Sequence, residues 1–323
     1  MLCPLSYRRL CSKLIIPENG KKGQRVSLKQ ICNILVQVII SLCVSIKVQV
    51  KTGKTKGVTL AKLTDTHQDM YEHFSSVAVL YNSLRTTDLE PIMFIKDMLD
   101  GNNNNIAAAD IGCGAGRYSL QFLRHLDISH LACIDVNESM LKQVSNILES
   151  AGVTNFSTIK SGAEHIPLGD NSIDCVFTFN AIHHFDFVAF MQEAARVIRH
   201  GGRIIIYTRL RCQNAENIWG KHFPLFLAKE NRLYEMDELE RMIKPIPALN
   251  IQSRKQFRYL RTASLSQLVN LAENSHYSTF SLYEKKEFTS ALEGFKKNVS
   301  RHFSNPECIK WSDEHTMLVV GRS

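Results

Sequence analysis

Downstream of Asp65, short apolar segments alternate with segments in which apolar residues recur every three or four positions. The first kind predicts strands and the second predicts amphipathic helices. We expect helices at 67–81, 88–99, 118–126, 139–151 and 187–197, and strands at 106–111, 130–136, 156–161, 173–179 and 203–208. Strands separated by crossover helices form a parallel, doubly wound sheet. The predicted fold class is therefore α/β with a mostly parallel sheet.

The alternation lapses after Arg209 and returns only in a last apolar run at 315–321, which predicts a closing strand. In between, helices at 236–243, 264–274 and 285–300 surround one predicted strand at 251–258. We interpret this stretch as a mainly helical cap or substrate-recognition insertion. The predicted organisation is a leader at 1–62, a core at 63–210, the cap at 211–305 and the closing strand at 306–323.

The leader differs in composition from the rest of the chain. Residues 31–46 form an uncharged apolar run of sixteen, which is short for a membrane span, and the basic region before it is long for a signal peptide. Three interpretations stay open: a signal anchor or organelle-targeting leader, a disordered extension, or an incorrectly translated start. We expect an intracellular, cytoplasmic protein, with organelle targeting or membrane contact only if the leader is functional.

The positive charge of the chain belongs to this leader. The whole chain carries a net charge of +8. Residues 1–62 hold twelve Lys or Arg against one acid, Glu18, so the rest of the chain carries −3. A basic face is the usual mark of a nucleic-acid-binding domain. Nucleic acid is therefore not the expected partner.

The nine cysteines form no CxxC pair and no Cys/His cluster at zinc spacing. They are read as reduced intracellular thiols, and no metal site is predicted.

A glycine-rich turn follows the strand predicted at 106–111. Gly112, Gly114 and Gly116 alternate with Cys113 and Ala115, and glycines in such a turn let the backbone approach a ligand closely. The dinucleotide fingerprint G-x-G-x-x-G would need a small residue at position 117, where this chain has arginine. A nicotinamide cofactor is therefore disfavoured.

Two acidic residues end neighbouring predicted strands. Asp110 precedes the glycine turn, and Asp135 closes the next strand, where a carboxylate can accept both hydroxyls of a ribose. Either feature alone is also compatible with a simple strand-to-helix turn or a helix cap. Together and in this order they favour a nucleoside-containing cofactor.

These motifs resemble those of a known family. DIGCGAGRYS at 110–119, CIDVNESML at 133–141 and SGAEHIPLGDNSIDCVFTFNAIHH at 161–184 are similar to successive motifs of the class I S-adenosylmethionine-dependent methyltransferases, especially the ubiquinone and menaquinone biosynthesis branch with its methyltransferase type 11 domain. ARVIRHGGRIIIYT at 195–208 resembles the segment that leads to the fifth strand. The resemblance covers residues 67–210 and identifies the core as a Rossmann-like S-adenosylmethionine-binding domain.

The resemblance implies a role for each matching residue. The three glycines and Ala115 would line the methionine moiety, Asp110 would help to hold its ammonium group, and Asp135 would bind the ribose. Val136 and Met140 would lie against the adenine, whose edge would meet Ala163 and Glu164. Asn180 and Ala181 would lie beneath the reactive sulfonium.

His183 and His184 follow directly after the strand end at 180–181. Because the ordinary pKa of histidine lies near neutrality, either residue is a candidate catalytic base. The alternative is a packing role, since many methyl transfers need only proximity and in-line geometry.

Candidate acceptor-binding residues are fewer and less certain. The helices ahead of the glycine turn supply Tyr71, Tyr81 and Arg85, and the cap supplies Trp219 and His222. Aromatic residues in a cap are as often ordinary core.

The leading hypothesis is methyl transfer to a small-molecule or lipid-like acceptor. A tRNA-modifying methyltransferase is an alternative, because AIHHF and IIIYT also resemble segments of the wobble-uridine-modifying branch. A non-catalytic S-adenosylmethionine-binding scaffold is a second alternative. The sequence leaves the oligomeric state and the methylated atom open.

Overall fold

The predicted strands and helices form a single seven-stranded sheet with helices on both faces in the computed structural model. The structure describes residues 71–76, 78, 82, 84–99 and 105–323. The predictions for the leader at 1–62, and for Tyr81, lie outside the described residues.

The seven strands lie in the order β3-β2-β1-β4-β5-β7-β6. β1 to β5 are parallel to one another, whereas β7 pairs antiparallel with both β5 and β6. The predicted doubly wound, mostly parallel α/β fold is therefore confirmed. The strands are β1 (Ile106–Ile111), β2 (Ile128–Asp135), β3 (Phe156–Lys160), β4 (Ile173–Phe179), β5 (Ile198–Thr208), β6 (Leu249–Ala263) and β7 (Ile309–Arg322).

One core helix precedes β1 and the others connect parallel strands, whereas the helices of the cap follow β5 and β6. The core helices are α1 (Glu90–Leu99), α2 (Arg117–His125), α3 (Glu138–Ser150) and α4 (Phe187–Val197). The cap contains α5 (Arg211–Glu216), α6 (Ile218–His222), α7 (Phe226–Lys229), α8 (Met236–Ile243), α9 (Leu265–Glu273) and α10 (Lys285–His302). The sequence did not predict α5, α6 and α7, which are each too short to show a helical period.

Polar caps fix where several of these helices begin. The side chain of Asn137 accepts a hydrogen bond from the N–H of Met140 at the start of α3, and Asp186 accepts one from Ala189 at the start of α4. Such caps satisfy N–H groups that have no partner within the helix. The cap at Asn137 follows directly after Asp135 and Val136, so it also positions the end of β2.

Buried side chains on the two faces of the sheet form two separate cores. Along β5, Ile204 and Ile206 pack on one face with α4 and α8, whereas Ile205 and Tyr207 pack on the other with α1, α2 and α3. A central strand buried on both faces is an unbroken apolar run. This is why the sequence predicted these strands closely.

The cap has a hydrophobic core of its own, built on aromatic side chains. Trp219 stacks on Phe295 with ring centroids 5.0 Å apart, and it meets Phe280 edge to face at 5.2 Å. Residues of α6, α7, α9 and α10 complete this core. The cap is thus a packed layer over the ends of the strands, with a hydrophobic core of its own.

The strand predicted at 251–258 is longer and has a different place from the one expected. β6 runs over Leu249–Ala263 as the edge strand of the main sheet, although it falls in the range assigned to the cap. Only Phe257 is buried along it, because an edge strand keeps one side open to solvent. Because most of its residues are polar, the apolar pattern predicted only part of its length.

The site lies where the strand order reverses. From β1 the chain moves outward to β2 and β3, then returns to β4 on the other side of β1. Ligands of doubly wound sheets bind at this switch point, at the carboxyl ends of the strands. None of the helices in the described residues is long and apolar enough to span a membrane.

Candidate active site

The glycine turn after β1 requires glycine at two positions for different reasons. Gly112 has φ +69°, and a Cβ there would lie 2.6 Å from Cβ of Ala181 and 2.8 Å from the ring of Phe185. Gly116 has φ +77° and precedes α2, with the backbone of Val144 at 3.2 Å from where its Cβ would be. Gly112 therefore keeps the end of β1 open, whereas Gly116 lets α2 pack closely on α3.

Not every glycine-turn residue faces the cavity. Gly112 and Gly114 line it, as predicted for ligand-contacting glycines. Gly116 does not, and Ala115 is buried against Met140 and Ala78. Gly116 and Ala115 thus have packing roles, and their predicted cofactor contacts stay predictions.

Asp110 lies at the end of β1, buried to 1% exposure. The hydroxyl of Ser119 donates a 2.6 Å hydrogen bond to its Oδ2. Burial raises the pKa of Asp110 to about 7, opposed by this hydrogen bond and reinforced by the charge of Asp135. A carboxyl group in this state becomes a carboxylate readily when a cationic ligand approaches it.

Asp135, at the end of β2, is held by the backbone on both of its oxygens. The N–H of Gly114 donates to Oδ2 at 2.9 Å, and the N–H of Asn137 donates to Oδ1 at 2.8 Å. A carboxylate has about four lone-pair sites, so acceptor capacity remains for a pair of ligand hydroxyls. Burial raises its pKa, and the backbone donors oppose the rise.

The adenine-side residues lie together on the cavity wall. Val136 is a 54% exposed apolar side chain, and Met140 and Ala163 are buried beside it. Glu164 accepts a 2.8 Å hydrogen bond from the N–H of Asp186 through Oε1. This leaves Glu164 Oε2 as the acceptor for an exocyclic amine, while exposed Val136 offers an apolar surface to a ring.

The turn after β4 brings Asn180 and Ala181 against the glycine turn. Asn180 adopts φ +56°, a left-handed conformation that is uncommon for residues other than glycine and that clusters at functional sites. Its N–H donates a 2.7 Å hydrogen bond to the carbonyl of Tyr207. The ends of β1, β4 and β5 therefore meet at one point of the cavity.

His183 and His184 form a short 3₁₀ turn on the cavity wall, with ring centroids 4.0 Å apart. Burial lowers the pKa of His183 to about 3, helped by Arg232, Arg85 and Arg209, and it lowers that of His184 as well. Both rings are neutral near pH 7 and weakly basic. Their predicted role as catalytic bases stays a prediction, and these pKa values count against it.

The structure places only some of the predicted acceptor residues at the cavity. Arg85 and Trp219 line the cavity, but Tyr71 is not part of its lining; the carbonyl of Tyr71 instead accepts from the side chain of Asn137. His222 lies in a separate surface depression, with its ring 4.9 Å from that of His302. This position counts against its predicted acceptor contact, which stays a prediction, because α6 turns the ring toward that depression.

The cavity extends well beyond the predicted residues. One continuous space of about 670 Å³ runs from the glycine turn to the cap and the far strands. Its cap side is lined by residues that the sequence analysis did not select, including Asp88, Arg209, Glu230, Arg261, His276, Tyr277, Asp313 and His315. Asp313 and His315 are two positions apart in β7 and both line this wall, but they lie among other polar residues of the strand, so the sequence held no clear signal for them.

The geometry fits S-adenosylmethionine. The open turn at Gly112 and Gly114 admits a ligand backbone, Asp110 and Asp135 supply carboxylates for an ammonium and for hydroxyls, and Val136 offers an apolar face. Among the described residues, no group of three or more His, Cys, Asp or Glu is arranged to hold a metal ion.

Comparison with known proteins agrees with this geometry. Residues 109–206 match the family described as a methyltransferase domain. The fold and the geometry of the site agree with this match, so the chain carries a domain similar to methyltransferases at these residues.

Among curated relatives, the chain is similar to the ubiquinone/menaquinone biosynthesis C-methyltransferase UbiE. It is 31% identical to the protein of Haemophilus ducreyi over 100 residues, covering 30% of this chain and 39% of the relative. It is 29% identical to that of Klebsiella pneumoniae over 157 residues, covering 46% and 61%. The chain thus spans less than two thirds of the length of each of these relatives.

The solved structures show the fold alone. YcgJ from Bacillus subtilis superposes with a TM-score of 0.53 at 16% identity, covering 73% of this chain and all of that chain. The [4+2]-cyclase SpnF superposes with a TM-score of 0.50 at 14% identity, covering 78% and 94%. Since one of these neighbours is described as a cyclase, the fold by itself does not define the reaction.

Proposed function

We propose that this chain transfers a methyl group from S-adenosylmethionine to a small-molecule acceptor enclosed by the cap. The observation that carries the proposal is the single cavity of about 670 Å³ that joins Asp135 and the glycine turn to Trp219 and Tyr277. This volume is within the roughly 300–1,000 Å³ typical of small-molecule sites. A cavity that continues past the cofactor residues provides space for a second substrate.

Different residues would bind different parts of the cofactor. S-adenosylmethionine, when bound, supplies an electrophilic methyl group on a sulfonium. Asp135 accepts hydrogen bonds from ribose hydroxyls, Asp110 pairs with the ammonium group, and Val136 packs on the adenine. The remaining groups at the end of β4, Asn180 and Ala181, face the methyl donor.

The cap supplies the other substrate surface. Aromatic and aliphatic side chains there exclude water and hold an acceptor on the far side of Asn180, and positioning of this kind accounts for much of the rate of a group transfer. The net charge of −3 outside residues 1–62 and the cap-lined cavity both favour a small-molecule acceptor over tRNA.

Calorimetry on the full chain tests the cofactor. We expect S-adenosylhomocysteine to bind at micromolar concentration, NAD not to bind, and Asp135→Ala to lose affinity. Transfer of a tritium-labelled methyl group is then measured with small-molecule acceptors and with tRNA in parallel. Absence of S-adenosylhomocysteine binding would overturn the proposal, and label transfer to tRNA alone would replace its acceptor.

A further inference from the structure

One polar side chain on the cap side of the cavity is oriented by a series of hydrogen bonds that begins in the backbone. The N–H groups of Trp219 and Gly220 both donate to Oδ1 of Asn217, at 2.9 Å. The other atom of the Asn217 amide is therefore Nδ2, and it donates to Oδ1 of Asn214 at 3.2 Å. A reversed Asn214 amide would set two NH₂ groups against each other. Nδ2 of Asn214 is thus held as the free end of its amide, and it is a donor.

This donor and a second one have no hydrogen-bond acceptor among the described residues. They are Nδ2 of Asn214 and Nε of Arg209, in residues that are only 3% and 7% exposed. Buried polar groups without a partner are rare in folded proteins. Because both residues line the cavity, both donors can be satisfied by an oxygen of a bound molecule.

The guanidinium of Arg209 is held in place by two neighbours. Its Nη2 donates to the carboxylate of Asp313, and the group lies 5.1 Å from the ring centroid of Tyr277. The pair with Asp313 uses Nη2 and leaves Nε over. Nε of Arg209 therefore has a defined position on the wall of the cavity.

The charges around Arg209 are matched within the protein. Asp313 also accepts from Nε of Arg261 at 3.4 Å, and Arg261 donates two hydrogen bonds to Asp88, at 2.9 Å and 2.6 Å. The two arginines and two aspartates thus form one network with no net charge. A charged group of either sign would lose its hydration here without gaining a counterion, so the two free donors suit an uncharged oxygen.

The histidines that line this part of the cavity add no positive charge. Burial lowers the pKa of His276 to about 3 and that of His315 to about 3, and neighbouring charges that include Arg209 lower both further. Both rings are therefore neutral near pH 7. The balance within the network of arginines and aspartates is left unchanged.

Arg209 is also close in the fold to the proposed point of methyl transfer. The N–H of Asn180 donates to the carbonyl of Tyr207 at 2.7 Å, and Arg209 follows Tyr207 by two residues at the same end of β5. A group bound to Arg209 therefore lies at the edge of the sheet to which Asn180 belongs.

We propose that the acceptor is an uncharged carbonyl compound with an apolar body, and that Nε of Arg209 and Nδ2 of Asn214 donate to its carbonyl oxygen. The inference rests on the proposed function. A carbonyl oxygen has two lone pairs and no proton, so it satisfies two donors and needs no acceptor in return, whereas a hydroxyl group does. Phe226 and Leu233, which are buried and line the same cavity, provide contacts for the apolar body.

The binding test uses the full chain saturated with S-adenosylhomocysteine and four compounds of similar shape. 4-Phenylbutan-2-one carries a carbonyl group, 4-phenylbutan-2-ol a hydroxyl, 4-phenylbutan-2-amine an ammonium and 3-phenylpropanoate a carboxylate. We expect the ketone to bind about tenfold or more tightly than each of the others, the size of one unpaired polar group or unmatched charge. A ketone that binds no more tightly than the others, or no binding by any of the four, overturns the inference.

Asn214→Asp tests the donor with little change in shape. It keeps Oδ1 as the acceptor for Asn217 and places an oxygen where Nδ2 was, so the preference for the ketone should fall by about tenfold. Asn250→Asp makes the same change at an exposed position of β6 outside the cavity lining and should keep the preference. Arg209→Lys, which keeps a cation beside Asp313 and lacks Nε, should lose it.

Affinity for S-adenosylhomocysteine distinguishes this inference from the proposed function. We expect Asn214→Asp to bind S-adenosylhomocysteine as tightly as the wild type does. A loss of that affinity would assign the Asn214 donor to the cofactor and overturn the inference, and so would a ketone preference that survives in Asn214→Asp. Failure of the wild-type chain to bind S-adenosylhomocysteine overturns the proposed function itself.

Discussion

The backbone N–H of Gly114 donates a 2.9 Å hydrogen bond to the carboxylate of Asp135, 21 residues further along the chain. This contact joins the turn after β1 to the end of β2, so the two segments proposed to bind the cofactor hold each other in place without a ligand. The same carboxylate keeps acceptor capacity for a ribose, so Asp135 has a structural role beside the binding role proposed for it.

Replacing Asp135 by alanine should weaken S-adenosylhomocysteine binding strongly. Two charge-assisted hydrogen bonds to the ribose are lost, each worth about 1.5–3 kcal/mol, so we expect affinity to fall at least a hundredfold. Calorimetry measures the loss. Glu138→Ala, three residues away and paired only with Lys160 on the surface, is the matched control, and equal affinities for the two variants would show that Asp135 does not bind the cofactor.

Two glycine variants distinguish the cost of a left-handed backbone from the cost of a steric clash at the added Cβ. Gly112 and Gly152 have nearly the same φ, +69° and +72°, but a Cβ at Gly112 would meet Ala181 and Phe185, whereas nothing lies within 4 Å at Gly152. We expect Gly152→Ala to cost about 1–2 kcal/mol of stability from the left-handed backbone alone, with cofactor affinity unchanged. Gly112→Ala should lose more stability and also cofactor binding, as measured by urea unfolding and calorimetry. Equal behaviour would argue against close packing at the turn.

Cofactor affinity should depend on pH through Asp110. The free protein holds this carboxyl at a pKa of about 7, and a bound ammonium group would lower that pKa. Binding therefore requires the ionised form, so affinity should fall as pH drops below about 7, approaching tenfold per pH unit. Calorimetry from about pH 6 to about pH 8 measures this, and Asp110→Asn should remove the dependence over that range. A wild-type profile that rises toward acid would contradict the assignment.

Breaking the buried ion pair of Arg209 and Asp313 should destabilise the fold. Burial alone would raise the pKa of Asp313, but Arg209 and its neighbours hold it below its usual value, so the folded state favours the charged form. Asp313→Ala leaves Arg209 buried without that partner, for which we expect a loss of about 3–5 kcal/mol in urea unfolding. Asp237→Ala, which breaks an exposed pair with Arg241, should cost about 0–1 kcal/mol. Similar losses for both would mean that the buried pair is not a stabilising contact.

The sequence by itself determined the core of the fold and the cofactor side of the cavity. The strands buried on both faces are apolar runs, so β1 and β4 were predicted with their observed bounds. The cofactor residues lie in short local motifs after strands, and parallel strands bring such motifs to one edge of a sheet. Asp110, Gly112 and Asp135 were predicted for this reason, and all three line the cavity.

Only the tertiary structure showed which residues line the cap side of the cavity. Asp88 and Arg261, which bind each other directly, are 173 residues apart, and Asp313 comes from the last strand. No local period or spacing relates such residues, because they meet through the packing of the cap and of an antiparallel edge on a parallel core. The same packing turned His222 away from the cavity and lengthened β6 beyond its apolar pattern, since burial and facing depend on neighbours that the chain supplies from distant positions.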